Sequence, residues 1–238
     1  MKHLSKILTG VMLVCCAIVF AACGGGQKTL FVSDFTNGNN DLFRNYGSVT
    51  DNDNGTITLN KSTDADNGPM TYFGEEDRNF EWVENGYTAS ITFKIDGAAM
   101  TTGQGFTWTV SINDENKEFV DERNMYFRKY DEGVKVGYVY NGSNDAINAD
   151  ATSNEGSVLI PDGWYTANYT FYDDNNVIKL DMSLVNEAGT TVFTVKDAKL
   201  SDENDDPITL DTFSGIRYGW VSWMTISNLE VREVKVYQ

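Results

Sequence analysis

The stretch that decides the fold is residues 164–184, WYTANYTFYDDNNVIKLDMSL. Apolar and polar side chains alternate with a period of two on both sides of Asp173–Asn176, which is the pattern of strands that bury one face. A short segment rich in Asp and Asn between two such runs predicts an antiparallel hairpin. We therefore expect a β-sheet that covers a core with one of its faces.

The same period of two continues from Leu30 to Gln238. Its clearest runs are Tyr87–Ile95, Gly105–Ile112, Tyr165–Phe171 and Ile178–Leu184, and its weaker runs are Leu30–Phe35, Thr56–Asn60, Met125–Tyr130, Val134–Tyr140, Thr190–Val195, Gly215–Val221 and Ile226–Tyr237. Turn signals at Asn54-Gly55 and Asn186–Gly189 separate some of them. Because no amphipathic helical stretch of about ten residues stands out, the pattern predicts one all-β domain, an antiparallel two-sheet sandwich over residues 30–238.

The last run contains a change of parity. Leu229 and Val231 point to one side of a regular strand, whereas Val234 and Val236 would point to the other. An extra residue restores the alternation, so we expect a β-bulge at Arg232-Glu233.

The N-terminal segment has a different character. Lys2 and Lys6 precede the apolar run Ile7–Phe20, and Ala21-Ala22-Cys23 follows it. This order resembles a bacterial lipoprotein signal, and the run is shorter than the ~20 residues that a membrane-spanning helix needs. The resemblance implies that residues 1–22 are a removed signal peptide, that Cys23 is lipidated, and that residues 23–29 form a flexible tether. It implies export and anchoring at the cell membrane or outer membrane.

Composition excludes several classes of function. The only histidine, His3, and the cysteines Cys15, Cys16 and Cys23 all lie within the first 23 residues. Serine and cysteine nucleophiles therefore lose their usual base, and transition metals lose their commonest ligand. The formal net charge of −17 argues against a nucleic-acid partner, since phosphate binding needs clustered Lys and Arg.

Two segments resemble a known fold family. They are Asp162–Tyr165 with the hairpin that follows, and Gly215–Trp220 with Ile226–Val231. Both resemble the strands of laminin-G-like and concanavalin A-like jelly rolls. The resemblance implies that the final strand pairs with the first, Leu30–Phe35, and it implies a glycan ligand by analogy only.

Glycan hydrolases of this fold carry a Glu-x-Asp-x-Glu or Glu-x-Asp-x-x-Glu strand, which places two carboxylates about 5 Å apart on one face. The Glu-x-Asp triplets of this chain are Glu75–Asp77 and Glu203–Asp205, and both lie in loop-like sequence. Neither continues with the required glutamate. We therefore expect no catalytic residues of that kind, while a hydrolase or lyase with another carboxylate pair remains an alternative.

Glycan binding needs aromatic faces and planar polar groups. If Met125 and Phe127 face the core, then other residues of the same and neighbouring segments are presented outward. The candidate ligand-binding residues are Tyr126, Arg128, Tyr130, Asn168, Tyr172, Trp82 and Trp223. We assign Trp108, Trp164 and Trp220 to structural packing.

Acidic loops suit calcium, which prefers carboxylate and carbonyl oxygens. The candidates are Asp202, Glu203, Asp205 and Asp206 in one loop, Asp51 and Asp53 in a second, and Asp64 and Asp66 in a third. Acidic loops of this kind are more often solvated turns than metal sites, and Asn54-Gly55 is a good hairpin turn. A structural calcium ion is thus one option among these loops.

The sequence as a whole predicts an exported, lipid-anchored jelly roll that binds a polysaccharide or other glycan without cutting it. One alternative is the glycoside hydrolase or lyase described above. A second is an adhesion or assembly subunit with a protein partner, which would be marked by a large exposed apolar patch.

Overall fold

The computed structural model describes residues 27–38, 48–61, 68–140 and 156–238. These residues form fifteen strands and one single-turn 3-10 helix, Gly97–Ala99. The strands are β1 (Thr29–Ser33), β2 (Ser48–Asp51), β3 (Ile57–Asn60), β4 (Met70–Thr71), β5 (Phe80–Glu81), β6 (Tyr87–Ile95), β7 (Gly105–Asn113), β8 (Phe119–Tyr130), β9 (Gly133–Tyr140), β10 (Val158–Ile160), β11 (Gly163–Asp174), β12 (Val177–Asn186), β13 (Thr191–Ala198), β14 (Gly215–Ser222) and β15 (Leu229–Tyr237). No helix among the described residues is long and apolar enough to span a membrane.

Two antiparallel sheets contain all of these strands. The first sheet has the order β13-β12-β11-β6-β15-β3-β2, with β1 also paired to β15. The second sheet has the order β10-β9-β8-β7-β14-β4, with β5 also paired to β14. The predicted all-β sandwich is therefore confirmed.

The hairpin that opened the sequence analysis forms as predicted. Strands β11 and β12 pair continuously from Tyr165 opposite Asn186 to Asp174 opposite Val177. The two residues between the strands, Asn175 and Asn176, have φ angles of 54° and 71°. Asparagine tolerates this left-handed backbone better than most residues, and two such positions in a row make a turn whose twist matches that of the strands.

The predicted bulge in β15 is confirmed as well. The pairing of β15 with β6 shifts register between Val231 and Glu233. As a result Leu229, Val231, Val234 and Val236 are all buried. The first strand pairs with the last, as the resemblance implied, through Phe31–Ser33 and Val234–Val236.

Aromatic side chains fill the centre of the sandwich. The ring of Phe93, from the first sheet, lies 4.8 Å from that of Phe127 and 5.2 Å from that of Phe106 in the second sheet. Phe106 and Phe127 stack on each other at 4.8 Å. These contacts between sheets account for a core that needs no disulfide.

Two tyrosines of the first sheet reach across the core to the backbone of the second. The hydroxyl of Tyr169 donates to the carbonyl oxygen of Trp108 at 2.7 Å and accepts from the backbone N–H of Met125 at 2.8 Å. The hydroxyl of Tyr87 accepts from the backbone N–H of Ile216 at 3.1 Å. Burial raises the pKa of both phenols. These bridges fix how the two sheets are aligned.

Strand β8 is longer than the sequence suggests. The period of two predicts Met125–Tyr130, whereas the strand begins at Phe119. Its first half is polar because Asp121 and Arg123 form an ion pair on the core side, with both side chains 3% exposed. Asp121 also accepts from the backbone N–H of Ser201 at 2.9 Å. A buried ion pair thus occupies core-side positions of the strand, and the alternation of apolar residues does not reveal them.

Some predictions fall outside the described residues. Residues 1–26 contain the signal-like segment and Cys23, and residues 62–67 contain Asp64 and Asp66. The predictions for these residues stand as they were made.

Candidate functional site

The outer face of the second sheet carries a different set of residues from its inner face. In β7 the side chains of Phe106, Trp108, Val110 and Ile112 belong to the core, so Thr107, Thr109 and Ser111 point outward. Each of these three residues lies between one residue of β8 and one of β14. The triplets, in the order β8, β7, β14, are Tyr126-Thr107-Ser222, Asn124-Thr109-Trp220 and Glu122-Ser111-Tyr218. The centre of this face, on β7 and β8, thus carries mainly polar side chains, which we call the polar floor. The rings of Tyr218 and Trp220 lie beside it on β14.

Three rings on this face form a row, which we call the aromatic ladder: Tyr72, Tyr218 and Trp220. The Tyr72 and Tyr218 centroids lie 6.2 Å apart, and those of Tyr218 and Trp220 lie 6.0 Å apart. All three side chains are half-buried. The indole Nε1 of Trp220 donates to the carbonyl oxygen of Gly68 at 3.1 Å, which fixes the ring. Rings held in this way still offer surface on which a ligand can stack.

Trp220 was assigned to structural packing in the sequence analysis, and the structure places its half-buried ring on the outer face, beside Tyr218. The register of β14 explains this position. The pairing of β14 with β7 shifts between Ile216 and Tyr218. This bulge keeps Ile216 in the core while it turns Tyr218 and Trp220 outward.

A hydrogen-bonded group lies beside the ladder. Ser111 Oγ donates to Glu122 Oε2 at 3.1 Å. Glu122 is 8% exposed, and burial raises its pKa, with a further increase from Asp121. Burial raises the pKa of Tyr218 also, and Glu122 adds to that shift. The ladder therefore stands against a buried carboxyl group that can accept hydrogen bonds.

Strand β8 presents one carboxylate on this face. Its successive outward positions are Glu122, Asn124 and Tyr126, where a Glu-x-Asp-x-Glu strand would carry three acidic side chains. Asp121, the adjacent acid, points to the other side of the sheet and pairs with Arg123. The strand can thus bind polar ligand groups, but it lacks the paired carboxylates of a retaining glycosidase.

Four of the predicted ligand-binding residues come together further along the same face, as what we call the Arg128 cluster: Tyr126, Arg128, Tyr130 and Trp223. The guanidinium carbon of Arg128 lies 5.6 Å from the Tyr130 centroid and 5.8 Å from the Trp223 centroid. Tyr126 is fully buried and Trp223 is 3% exposed. A Cβ at Gly137 would collide with the Tyr126 hydroxyl, so only glycine leaves room for that ring.

The remaining predicted residues lie elsewhere. Asn168 and Tyr172 are on the outer face of the first sheet, as expected from their strand. Tyr237 donates to Asn168 Oδ1 at 3.3 Å, and Tyr172 donates to Asp197 Oδ1 at 2.8 Å. Trp82 packs at the edge of the core, with its ring 5.4 Å from that of Phe213. The structure therefore divides the predicted residues among three places.

The acidic loops are held by their own backbone and by lysine. Asp202 Oδ1 accepts from the backbone N–H groups of Asn204 and Asp206, at 2.8 Å and 3.0 Å. Lys199 pairs with Asp205 and lowers the pKa of that carboxyl group. Asp51 Oδ1 accepts from the backbone N–H of Asp53 at 2.9 Å. Within the described ranges, no three His, Cys, Asp or Glu side chains are grouped to hold a metal ion.

Comparisons with known proteins give the fold a name. No family model matches the chain, and no curated protein sequence matches it. The carbohydrate recognition domain of Emp46p in its potassium-bound form is 15% identical with a TM-score of 0.51, over 86% of this chain and 92% of that one. Peanut lectin is 13% identical with a TM-score of 0.50, over 87% and 96%. An endo-1,3-beta-glucanase from Streptomyces sioyaensis is 13% identical with a TM-score of 0.48, over 91% and 98%.

At these identities the likeness concerns the fold. The two-sheet topology, the pairing of the first strand with the last and the match to the two lectin-like structures agree with one another. The described chain therefore has the concanavalin A-like jelly-roll fold of lectin carbohydrate-recognition domains.

Proposed function

We propose that this protein binds a glycan without cleaving it, and that the aromatic ladder is the binding surface. The observation that carries the proposal is the row of three half-buried rings, Tyr72, Tyr218 and Trp220, beside a buried hydrogen-bonding group. Sugar rings stack on aromatic faces, and their hydroxyls need planar polar partners. The Arg128 cluster extends the same face and forms a second part of the proposed site.

The carboxylate arrangement supports binding over hydrolysis. Glu122 has the raised pKa of a group able to donate a proton, and for this reason a glycoside hydrolase is the second candidate. The outward positions of β8 supply no partner carboxylate for it, because Asn124 and Tyr126 occupy them. Release of reducing ends from a bound polysaccharide, lost in a Glu122→Gln variant, would establish the hydrolase instead.

The distribution of exposed apolar residues weighs against the adhesion alternative. The large apolar side chains exposed within the described ranges are Val32, Phe119, Val158 and Leu159, which belong to three different strands. Protein-binding surfaces usually collect such residues into one patch. The described surface lacks that patch.

The proposed location is the outer side of a membrane, with the domain anchored through lipid on Cys23. The motif around Cys23 supports it. The first strand begins at Thr29, within the predicted tether of residues 23–29, and Lys28 already pairs with Gln238 through two backbone hydrogen bonds. Two or three acyl chains provide stable anchoring that one chain does not. A Cys23→Ser variant is expected to move from the membrane fraction to the aqueous fraction, and a variant that stays with membranes would contradict this anchor.

The test of the binding function is a glycan-array screen of the protein from Gln27 onward, with and without calcium. We expect retention of at least one glycan class. Retention that depends on calcium would support a structural calcium ion. The Trp220→Ala variant should lose that retention, whereas Trp164→Ala should keep it. Trp164 is a matched control because it is half-buried on the first sheet, with the Arg232 guanidinium 4.6 Å from its ring. Equal loss in both variants would contradict the proposed surface.

A further inference from the structure

Two arginines, Arg78 and Arg217, lie beside the aromatic ladder, and we call them the arginine pair. The guanidinium carbon of Arg78 lies 5.1 Å from the Tyr72 centroid, within the range of a cation–π contact. Arg217 directly precedes Tyr218 in β14, at the point where the pairing with β7 shifts register. Burial raises the pKa of Tyr218, and the positive charge of Arg217 opposes that rise. Two neighbouring rings of the ladder thus each have a guanidinium beside them.

One buried amide holds both arginines. Asn113 ends β7 and is fully buried. Its Nδ2 donates to the carbonyl oxygen of Arg78 at 3.1 Å, and its Oδ1 accepts from Arg217 Nη1 at 3.4 Å. Nδ2 also donates to Asn79 Oδ1 at 3.0 Å. The fold therefore fixes the backbone of one arginine and the guanidinium of the other around the same side chain.

The backbone of Arg78 has an uncommon conformation. Its φ angle is 62°, in the left-handed region where glycine, asparagine and aspartate are the usual residues. The bond from Asn113 holds its carbonyl group, and its own N–H donates to the carbonyl oxygen of Glu75 at 3.4 Å. Backbone strain of this kind is concentrated at functional sites. The backbone preference of the turn does not account for an arginine at this position, whereas a role for its side chain does.

Neither arginine has a carboxylate partner within the described ranges. Arg123 and Arg232, by contrast, pair with carboxylates at 2.5 Å and 3.1 Å. Asp77, next to Arg78 in the chain, pairs with Lys117 instead. The ion pairs of the described residues involve Lys94, Lys117, Arg123, Lys135, Lys196, Lys199 and Arg232. The arginine pair therefore keeps N–H donors that a ligand can use.

We propose that the arginine pair binds the carboxylate of a uronic acid unit in an acidic glycan. The inference rests on the proposed glycan-binding function and names the chemical class of the ligand. The planar guanidinium groups of Arg78 and Arg217 donate to the two carboxylate oxygens, a geometry that suits arginine better than lysine. The sugar ring packs on Tyr72 and Tyr218. A neutral sugar makes only the second kind of contact.

The acidic residues near the ladder act against an anion less strongly than their number suggests. Glu75 and Glu76 are exposed, so salt screens their repulsion beyond about 8 Å. Glu122 lies beside Tyr218, and burial raises its pKa, which favours its neutral form. The negative net charge of the protein slows the approach of an anion, whereas direct charge-assisted hydrogen bonds slow its dissociation.

Isothermal titration calorimetry of the purified protein at pH 7 tests the proposal. The probes are the trimers of galacturonate, glucuronate and mannuronate, each compared with its own methyl ester. Esterification removes the charge and keeps the sugar rings and their linkages. At least one acid should bind at least tenfold more tightly than its ester. The uronate inference is overturned if no acid does so, and the glycan function stands in that case if the glycan array retains any glycan. If neither a trimer nor an array glycan binds, the proposed function itself fails.

Matched variants separate the arginine pair from the general effect of charge. Arg78→Gln with Arg217→Gln should lower the affinity for the bound uronate at least tenfold and abolish the preference over its ester. The control is Arg232→Gln with Lys235→Gln, which removes the same charge from the outer face of the first sheet. Both control residues lie over aromatic rings, at 4.6 Å and 4.8 Å, and this variant should preserve the preference. Equal loss in the two double variants would mean that net charge attracts the acid, and this would refute the pair.

Melting temperatures serve as the folding control for these variants. Arg78 is exposed, so Arg78→Gln alone gives the same test if the double variant does not fold. The single variant should lose at least threefold in uronate affinity and keep its affinity for the methyl ester. Unchanged uronate affinity in Arg78→Gln would contradict the role of this arginine.

Discussion

The two outer faces of the sandwich are built from strands of the same alternating pattern. They differ in how far their polar and aromatic side chains are paired within the chain. On the first sheet, threonine hydroxyls pair with each other, as in Thr88 with Thr170 at 2.9 Å and Thr92 with Thr166 at 3.0 Å. Its half-buried indole, Trp164, lies 4.6 Å from the guanidinium of Arg232. On the second sheet, the rings of the aromatic ladder stay half-buried beside the hydrogen-bonded pair of Ser111 and Glu122.

This difference shows that fold and binding capacity are separate properties of the same backbone pattern. A face whose polar groups bond within the chain has little to offer a ligand, since a new partner would have to replace existing hydrogen bonds. A face with half-buried rings and a carboxyl group that can accept further hydrogen bonds gains free energy when a ligand supplies new contacts. The second sheet is therefore the functional face in our proposal.

The largest effect is expected from deleting matched aromatic pairs on the two faces. Tyr218→Ala with Trp220→Ala should weaken glycan affinity about 100-fold, which corresponds to roughly 2.8 kcal/mol. Trp164→Ala with Tyr172→Ala should change it less than twofold. Titration calorimetry with a glycan identified on the array measures both. A large loss in the first-sheet variant would reverse the assignment of the two faces.

The bridge between the sheets predicts a large effect on stability. Tyr169→Phe leaves the Trp108 carbonyl and the Met125 N–H without their buried partner, so the free energy of unfolding should fall by about 2 kcal/mol. Tyr172→Phe removes a hydroxyl from the outer face of the same strand and should cost less than about 0.5 kcal/mol. Urea denaturation compares the two. Similar losses would mean that the inter-sheet bonds contribute nothing beyond a surface contact.

A smaller effect is expected in the Arg128 cluster. Arg128→Ala with Tyr130→Ala should reduce glycan affinity about tenfold, or roughly 1.4 kcal/mol, with little change in melting temperature. The loss is smaller than in the ladder because Tyr126 and Trp223 stay in place, buried at this end of the face. Unchanged affinity would confine the site to the ladder, and a protein that does not fold would show that the cluster is structural.

The smallest effect concerns the pH dependence of stability. Burial raises the pKa of Glu122 above its ordinary 4.5, so the native state holds this proton at pH values where the unfolded chain has released it. Stability therefore falls as pH rises from about 4.5 through the folded-state pKa. Glu122→Gln should remove that fall and raise the melting temperature at pH 7 by about 2–4 °C. Glu118→Gln, at an exposed position just before β8, is the control, and an unchanged slope in Glu122→Gln would contradict the prediction.

Sequence periodicity predicts the fold where apolar side chains mark the buried face. The bulge in β15 is visible because Leu229 and Val231 disagree in parity with Val234 and Val236. The bulge in β14 is not visible, because Tyr218 and Trp220 are amphipathic and suit either face of a strand. This is why the sequence alone does not place Trp220 on the outer face, where the structure has it.

The candidate site was less predictable because its contacts are not local. The first half of β8 shows no alternation of apolar residues because the ion pair of Asp121 and Arg123 occupies its core-side positions. Asn79 accepts hydrogen bonds from Asn113 and Ser214, which are 34 and 135 residues away in sequence. Alternation alone placed Tyr126, Arg128 and Tyr130 on one side of a single strand, whereas nothing in the sequence indicated that Trp223 would join them.

The tyrosine bridges have a consequence for recognition. Tyr169 and Tyr87 fasten β7, β8 and β14, the strands beneath the ladder and its polar floor, to the opposite layer of the sandwich. Such a surface is preorganised, so ligand binding costs little conformational entropy of the protein. Contacts with a few sugar units can then suffice for binding. A substitution that removes one tyrosine bridge would lower the glycan affinity, although neither tyrosine lies on the binding surface.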